Sequence, residues 1–366
     1  MGEILGIGCT HAPHLPLTDE TMANIYFRFN LRSEKTPAYW KDPANWPKGL
    51  VEEWGDDEAR SAARRHREDL VRGFRAARQA IDDFRPDFVL IYGDDQYENF
   101  REDLLPPFCV YAFDELPLRG AQPKGGGGGL SARLGLPLTK LEMPPLQTTV
   151  AGSKQIGTFL ASELVARAVD VACSWKLHHM SNLGHAFSST VDYLDWDRRG
   201  FPYPVIPFHV SCYGADLRVP DDTAGDATGR LMEGVAVRPP AAPPPWRCYD
   251  VGKAVAEVIA ESPYRAVIIG SSSWSHASLT DMHGYMWGDV DSDREHLEQL
   301  RAGQIRQWRD LDPDQIRRSG QHEMRNWICL AGSMEGRMPE VLAYSESYVF
   351  NSSKCVALFP PNTVAA

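Results

Sequence analysis

The chain has 366 residues, of which 43% are hydrophobic and 24% are charged. That balance is ordinary for a globular protein and excludes wholesale disorder, while the length allows one large domain or two of ordinary size. The formal net charge of -11 argues against nucleic acid or an anionic membrane as the main partner.

No membrane span or signal peptide is predicted, because no apolar run approaches roughly 20 residues and the first residues lack a charged-then-apolar pattern. The seven cysteines form no CxxC pair, and their odd number fits a reducing compartment better than a disulfide framework. We therefore expect a cytoplasmic protein.

The first predicted element is a short buried strand at 4–7, which leads into the turn Cys9-Thr10-His11-Ala12-Pro13-His14. Pro13 fixes its own φ and forces an extended approach, so the turn should be rigid. Ligands of α/β folds gather at the carboxyl ends of strands, which makes this turn a candidate site. The alternative, that His11 and His14 are surface histidines, stays open on this segment alone.

Two later stretches are predicted to be insertions. Residues 17–60 are polar and rich in Trp, Pro and Asp, which indicates a partly helical segment packed over the domain or over a partner subunit. Residues 119–150 contain Lys124, five consecutive glycines at 125–129 and several prolines. Such a segment has little side-chain mass to bury, so we expect a mobile loop.

Helices and strands alternate along the rest of the chain. Helices are predicted at 58–84, 156–171, 246–262, 322–330 and in the charged, solvated run 289–315, strands at 88–92, 106–113, 171–175, 205–210 and 266–269, and a proline-rich connector at 239–245. The alternation predicts one α/β domain over 1–366, with insertions.

Polar side chains follow several of the apolar runs. They are His11 and His14, the run Asp94-Asp95-Gln96, His185, and Ser275 with His276, and Glu323 lies on a predicted helix. Converging histidine, carboxylate and amide groups suit a divalent transition metal with open positions, as in non-heme Fe(II) oxygenases. Zinc hydrolysis is the nearest alternative on ligand type. Nucleophilic catalysis is less favoured, because Ser275 lacks a G-x-S-x-G elbow.

The order of these clusters resembles the class III extradiol ring-cleavage dioxygenases, the family of the protocatechuate 4,5-dioxygenase β subunit. The matching segments are Gly6-Ile7-Gly8-Cys9-Thr10-His11-Ala12-Pro13, Asp95-Gln96-Tyr97-Glu98-Asn99-Phe100 with 104–109, Gly184-His185-Ala186-Phe187, Ser273-Trp274-Ser275-His276 and His322-Glu323-Met324-Arg325-Asn326-Trp327. They run in the family order from residue 4 to about 336. The resemblance implies that His11 and Glu323 bind iron and that His185 and His276 are catalytic.

One position departs from the family pattern, because Gln96 stands where the second histidine ligand is expected. An amide oxygen is a weaker and harder donor for Fe(II) than imidazole, so Mn(II) or Zn(II) also becomes possible. Gln96 is predicted to ligate directly. Alternatively, Asp94 or Asp95 turns inward and gives one histidine and two carboxylates, a set that favours harder metals, or His14 replaces the missing ligand. Two further alternatives are that the metal is lost and the protein binds rather than reacts, and that Gln96 only forms a hydrogen bond beside the ligands.

The resemblance implies extradiol cleavage of a catechol-type diol by O2 at an Fe(II) centre. His276 would take a phenolic proton, and His185 would steady the developing peroxide and later act as an acid. It further implies a central mixed sheet flanked by helices and a homo-oligomer, with the aromatic 17–60 segment as a candidate subunit contact. The alternatives are a metal- or ligand-binding protein without oxygenase activity and a zinc-dependent hydrolase. The preferred catechol and the side of cleavage stay open.

Overall fold

The computed structural model describes residues 2–34, 36–101, 103–118, 134–144, 147–216, 218–219, 230–231 and 240–361. Its strands are β1 (Glu3–Cys9), β2 (Phe88–Gly93), β3 (Phe108–Tyr111), β4 (Glu115–Pro117), β5 (Thr149–Ala151), β6 (Ala172–Ser174), β7 (Val205–Val210), β8 (Arg218–Val219), β9 (Arg230–Leu231), β10 (Arg265–Ser271), β11 (Glu340–Ser345) and β12 (Lys354–Phe359). Its α-helices are α1 (Phe27–Arg32), α2 (Ala38–Lys41), α3 (Lys48–Trp54), α4 (Arg60–Phe84), α5 (Lys154–Ala166), α6 (His185–Leu194), α7 (Pro245–Ala260), α8 (Val290–Arg301), α9 (Pro313–Arg318) and α10 (Met324–Ser333).

Eight strands form one mixed sheet in the order β11-β12-β1-β10-β2-β7-β3-β6. The central strands β1, β10, β2 and β7 are parallel neighbours, whereas β12 and β3 pair antiparallel with β1 and β7. Helices join the parallel strands because a parallel pair needs a crossover that returns the chain to the same end of the sheet. The predicted single α/β domain with a central mixed sheet is confirmed.

The register of the three central strands brings their carboxyl ends together. Cys9 of β1 pairs with Ser271 of β10, and Gly270 of β10 pairs with Tyr92 of β2. The turns that follow these strands therefore emerge side by side at one edge of the sheet. These turns carry the first, second and fourth of the polar clusters that the sequence singles out.

The central strands are buried on both faces, which explains their nearly continuous apolar sequences. Alternate side chains pack against α4 on one face and against α7 and α10 on the other. On α4 the apolar residues at three- and four-residue spacing are fully buried, namely Leu70, Phe74, Ala77 and Ile81. Burial of a side chain such as Leu or Phe stabilises the fold by about 1.5–3 kcal/mol.

Helix α10 lies unusually close to the sheet because two strand positions are glycines. A Cβ atom at Gly8 would lie 2.1 Å from the Trp327 ring, and one at Gly270 would lie 2.9 Å from the carbonyl oxygen of Asn326. Any larger residue would push the helix outward. The close packing brings Glu323, which directly precedes α10, to the ends of β1 and β10.

The 17–60 segment packs over its own domain, which is the first of the two predicted arrangements. Phe27 and Leu50 are fully buried in a third apolar cluster that also includes Trp287 and Phe350 from the distant end of the chain. Trp40, Trp46 and Trp54 border this cluster. The segment's aromatic residues are therefore largely used within the domain, and its role as a subunit contact stays a prediction.

Part of the expected 119–150 loop is held firmly to the domain. Leu17 and Lys140 form a β-bridge, the Thr18 amide donates to the Thr139 carbonyl at 2.8 Å, and Asn24 donates to the Pro137 carbonyl at 2.6 Å. These contacts tie 134–144 to the segment after β1, and the mobility of the 119–150 loop stays a prediction. Lys124 and the glycines at 125–129 lie outside the described residues, as does residue 239 of the predicted connector.

The helical run expected at 289–315 is interrupted and less solvated than predicted. It comprises α8, a 3₁₀ segment at Ile305–Asp310 and α9, and it buries Leu297, Leu300 and Trp308. Helix α6 and strands β11 and β12 were not predicted.

None of the helices in the described part of the chain has the length and apolar character that crossing a membrane requires.

Candidate metal centre

His11 emerges from the end of β1 with its ring buried and its orientation fixed. Its Nδ1 lies 3.1 Å from the carbonyl oxygen and 3.2 Å from the hydroxyl of Ser271, at the end of β10. Burial, reinforced by the neighbouring His185 and His276, lowers the pKa of His11 well below its usual value. A neutral ring that donates from Nδ1 carries its lone pair on Nε2. That atom faces Glu323 Oε2 at 3.4 Å and Asp94 Oδ1 at 3.6 Å.

Glu323 precedes α10 and is 1% exposed. Its Oε1 accepts hydrogen bonds from the Tyr213 hydroxyl and, at 3.1 Å, from Gln96 Nε2. Its Oε2 has no hydrogen-bond partner among the described residues. Burial raises the pKa of Glu323, and the hydrogen bond from Tyr213 opposes that rise. One oxygen of Glu323 is thus held by the protein, and the other is left available.

His276 follows β10 and faces the same oxygen. Its Nδ1 lies 3.0 Å from the carbonyl of Trp274, and its Nε2 lies 3.4 Å from Glu323 Oε2. Burial lowers the pKa of His276 to about 4. The ring is therefore neutral near pH 7, with a protonated Nδ1 and an Nε2 lone pair that faces the centre.

The two aspartates after β2 have different surroundings. Asp94 is completely buried, and its Oδ2 has no hydrogen-bond partner among the described residues. Burial and the nearby Glu323 raise the pKa of Asp94. Asp95 turns away and accepts hydrogen bonds from the backbone amides of residues 98–100. Burial raises the pKa of Asp95 to about 7. Of the two aspartates that could turn inward, Asp94 does so.

His185 is the first residue of α6 and is held by Glu98. Glu98 Oε2 lies 2.9 Å from both the backbone nitrogen and the Nδ1 of His185. The rings of His11 and His185 are perpendicular, with centroids 5.0 Å apart. The structure thus gathers His11, His185, His276 and Glu323, four of the residues that the sequence predicts.

The donors present fit a divalent cation. One ligand atom each from His11, Asp94 and His185 can be chosen so that all three lie within 4.8 Å of one another, and Glu323 Oε2 adjoins His11. Two carboxylates are buried here with one oxygen each unpartnered, and unprotonated imidazole nitrogens face them at 3.4–3.6 Å. Such an arrangement of lone pairs is unfavourable unless a cation or protons lie between them, and a bound metal ion satisfies all of these donors at once. Nitrogen and oxygen ligands of this kind suit Fe(II), Mn(II) and Zn(II).

Gln96 and His14, the two other residues predicted as possible metal ligands, have other contacts. Gln96 has its amide nitrogen bound to Glu323 and, at 2.8 Å, to the Tyr213 hydroxyl. His14 is buried and packs against the Tyr26 ring with centroids 5.4 Å apart. It is not part of the donor group around His11.

Glu98 and Tyr213 were missed by sequence reasoning. Glu98 lies two residues after Gln96 within a segment that resembles the family, so its place in the loop was a usable signal. Tyr213 follows β7 as another polar side chain at a strand end, by the same rule that singles out His11. The two residues between β7 and Tyr213 are Ser211 and Cys212, so neither a histidine nor a carboxylate drew attention to this strand end.

Residues 235–356 match the family model described as the catalytic LigB subunit of aromatic ring-opening dioxygenase. The chain is 28% identical over 201 residues to a 2,3-dihydroxyphenylpropionate/2,3-dihydroxicinnamic acid 1,2-dioxygenase of Comamonas testosteroni, a match that covers 55% of this chain and 46% of that protein. It is 24% identical over 294 residues to a similarly named enzyme of Paraburkholderia xenovorans (strain LB400), covering 72% of this chain and 80% of the relative.

The crystal structure of an uncharacterised protein of Escherichia coli K12 is also similar, with a TM-score of 0.46 and 9% identity over 80% of this chain and 92% of that one. The chain thus spans less than half the length of the Comamonas enzyme and most of the length of the Paraburkholderia one. With a LigB-type segment at 235–356 and these relatives, the chain resembles the class III extradiol ring-opening dioxygenases.

Proposed function

We propose that this protein is a non-heme Fe(II) dioxygenase that opens a catechol-type ring beside its two hydroxyl carbons, using O2. One observation carries the proposal beyond the family resemblance: the Nε2 atoms of His11 and His276, which follow neighbouring strands, both lie 3.4 Å from the unpartnered Oε2 of Glu323. A histidine that would bind the metal and a histidine that would accept a proton, both facing one carboxylate oxygen, would suit the binding and deprotonation of a diol. The substrate is an aromatic diol, and its other substituents are open.

His11 and Glu323 would hold the metal. Each presents one atom to the centre while the protein fixes the rest of its side chain, through Ser271 for His11 and through Tyr213 and Gln96 for Glu323. The ion, when bound, supplies the route by which electrons pass from the aromatic diol to O2. The surrounding burial excludes water, which protects reactive species during ring opening.

His276 would accept a proton from the diol at Nε2. The hydrogen bond between its Nδ1 and the Trp274 carbonyl keeps the Nε2 lone pair facing the centre. His185 would hold or return a proton at its own Nε2 on the other side of His11. Its ring is fixed through Nδ1 by Glu98. The two histidines thus serve as separate proton-transfer groups around one metal.

Two further proposals concern the state of the protein. The family resemblance favours a homo-oligomer. A cytoplasmic location agrees with seven cysteines that are all unpaired. Gel filtration with light scattering tests the first of these proposals, and cell fractionation tests the second.

One observation favours a second candidate, a metal-binding protein that does not activate O2. Gln96 replaces the expected histidine, and its amide nitrogen is bound to Glu323 rather than directed at a metal. A centre with one imidazole fewer holds Fe(II) less tightly. In that case the protein would bind divalent ions and catechols without consuming O2.

A single experiment separates the candidates. The purified protein is loaded anaerobically with Fe(II) and mixed with air-saturated buffer and a panel of substituted catechols. We expect O2 uptake with at least one catechol, and mass spectrometry with isotope-labelled O2 should show both oxygen atoms in the product. Iron-loaded protein that consumes no O2 with any catechol would exclude the dioxygenase.

A further inference from the structure

Gln96 aligns with the second histidine ligand of the family, but it is the Asp94 carboxylate that faces His11, at 3.6 Å. We propose that Asp94 is the third protein ligand of the metal and that Gln96, together with Tyr213, positions Glu323. The inference rests on the proposed function for the presence of a metal. It adds a ligand set of one histidine and two carboxylates.

The first observation is the environment of Asp94. The side chain is 0% exposed and directs Oδ1 to within 3.6 Å of His11 Nε2. Oδ1 accepts a long hydrogen bond from Asn326 Nδ2 at 3.4 Å, the backbone amide of Asp94 itself also acts on the carboxylate, and Oδ2 has no partner among the described residues. A buried carboxylate with this little hydrogen bonding is costly, and coordination of a cation would offset the cost.

The second observation is the environment of Glu323, which is independent of Asp94. Tyr213 and Gln96 both donate to Oε1, and neither contacts Oε2 in the described structure. Gln96 also donates to the Tyr213 oxygen, so the two residues act on Glu323 as a joined pair. Hydrogen bonds to one oxygen of a carboxylate orient the other oxygen toward a metal.

The neighbouring aspartate explains why Asp94 is free for this role. Asp95 uses both of its oxygens on the backbone amides of residues 98–100 and so fixes the loop that follows β2. Asp95 thereby holds the turn in which Asp94 points inward and Gln96 reaches Glu323.

The ligand set carries a consequence for metal preference. Two carboxylates balance both charges of a divalent ion, whereas the family's expected two histidines and one carboxylate leave one charge unbalanced. Oxygen-rich sets favour harder ions such as Mn(II) relative to sets that contain more imidazole. We therefore expect this centre to bind Mn(II) readily and to lose that affinity when Asp94 is replaced.

The test measures Mn(II) binding to metal-free protein by the loss of the free-ion electron paramagnetic resonance signal, with no catalytic readout. Asp94→Asn keeps the size of the side chain and removes the charge, and it should weaken Mn(II) binding by more than about 100-fold. Tyr213→Phe and Gln96→Ala should weaken it by about 10–100-fold, the range for partners of ligands. The matched control is Asp195→Asn, a buried aspartate paired with Arg78 away from the centre, which should bind like the parent.

Circular dichroism and thermal unfolding show whether each variant is folded, and Asp94→Ala serves as a second variant if Asp94→Asn is not. Parent-like Mn(II) affinity in a folded Asp94 variant would overturn the proposal, as would a parent that binds no Mn(II). The proposed function is judged separately by O2 uptake. If the parent binds Mn(II) through Asp94 but cleaves no catechol, the ligand set is supported and the dioxygenase activity is refuted. If the parent cleaves catechols but an Asp94 variant binds Mn(II) as tightly as the parent, the activity is supported and the ligand set is refuted.

Discussion

Glu98 accepts two hydrogen bonds from His185 through a single oxygen, one from the backbone nitrogen and one from Nδ1, each at 2.9 Å. The first bond caps the start of α6, and the second fixes which ring nitrogen of His185 carries the proton. Both side chains are largely buried. The loop after β2 therefore controls the orientation of a proposed proton-transfer residue on a different element.

The first prediction concerns this contact. Glu98→Gln keeps the shape but weakens the fixed orientation of the His185 ring, so kcat should fall by roughly 10–100-fold, as for other residues that orient a functional histidine. Metal content should stay at the parent level. Glu52→Gln, at an exposed site on α3, is the control and should be fully active. Unchanged kcat in Glu98→Gln would show that His185 needs no such support.

The second prediction concerns the ligands. His11→Ala and Glu323→Ala should each abolish stoichiometric iron binding, because each removes an atom that faces the buried centre. Metal analysis of the dialysed protein measures this directly, and circular dichroism shows whether the chain is folded. Iron at the parent stoichiometry in a folded His11→Ala protein would refute the assignment.

The third prediction separates proton transfer from metal binding. His276→Ala and His185→Ala should retain iron and lose turnover by about 10²–10⁴-fold, the usual contribution of general acid–base catalysis. The result for His185 is the more informative of the two, because one of its nitrogens lies within 4.8 Å of donor atoms from His11 and Asp94 and could itself bind the metal. Loss of iron in His185→Ala would make His185 a ligand.

The fourth prediction concerns Gln96. Gln96→His places an imidazole beside Glu323 at the position where the family has its second histidine, and it should tighten Fe(II) binding by roughly tenfold. Gln96→Ala should weaken binding, since it removes a donor to Glu323 Oε1. Anaerobic titration with Fe(II) measures both changes. Equal Fe(II) affinities in the parent and both variants would show that Gln96 has no effect on metal binding.

The fifth prediction is a pH dependence away from the metal. Lys354 is 1% exposed and donates from Nζ to the carbonyls of Phe350 and Ser352 at 2.8 and 2.7 Å. Burial lowers its pKa to about 7, although Glu53 and Asp293 partly oppose that change. Between about pH 7 and pH 10.4 the unfolded chain therefore binds one more proton here than the folded chain, and stability should rise with pH.

Chemical denaturation at several pH values measures this effect. The free energy of unfolding of the parent should rise relative to that of Lys354→Met by up to about 1.4 kcal/mol per pH unit within this window. Lys48→Met, at an exposed lysine, should follow the parent. Burial raises the pKa of Asp293 to about 7. Its contribution to the free energy of unfolding therefore changes with pH below about pH 7, outside the window in which Lys354 acts. Parallel curves for the parent and Lys354→Met would contradict the prediction.

The sequence predicted the central sheet well because its strands are buried on both faces and their apolar runs are nearly continuous. It failed at the C-terminal strands: β11 is only partly buried and its residues alternate irregularly, whereas β12 has a buried apolar run that was overlooked. Helix α6 was missed because Gly184, His185 and the serines that follow indicate a polar turn, whereas packing of Phe187 and Val191 against the sheet makes it helical.

For the site, the histidines at strand ends could be found from local sequence patterns. Glu323 was identified as a ligand because its segment matches the family's motifs in order. The roles of Asp94, Asp95 and Gln96 could not be separated by sequence, because three successive polar residues after a strand differ only in the direction of their side chains. That direction depends on the loop fixed by Asp95 and on Tyr213, which is more than a hundred residues away. Contacts of this kind leave no periodic signal.

The closeness of α10 to the sheet has a further consequence. Gly8 and Gly270 touch no ligand, yet a methyl group at either position would shift the helix that follows Glu323 and so alter the spacing between Glu323 and His11. The geometry of the centre is therefore set by backbone packing during folding. An arriving ion meets donors that have little conformational freedom left to lose, so it binds with a small entropic penalty and without reshaping the protein.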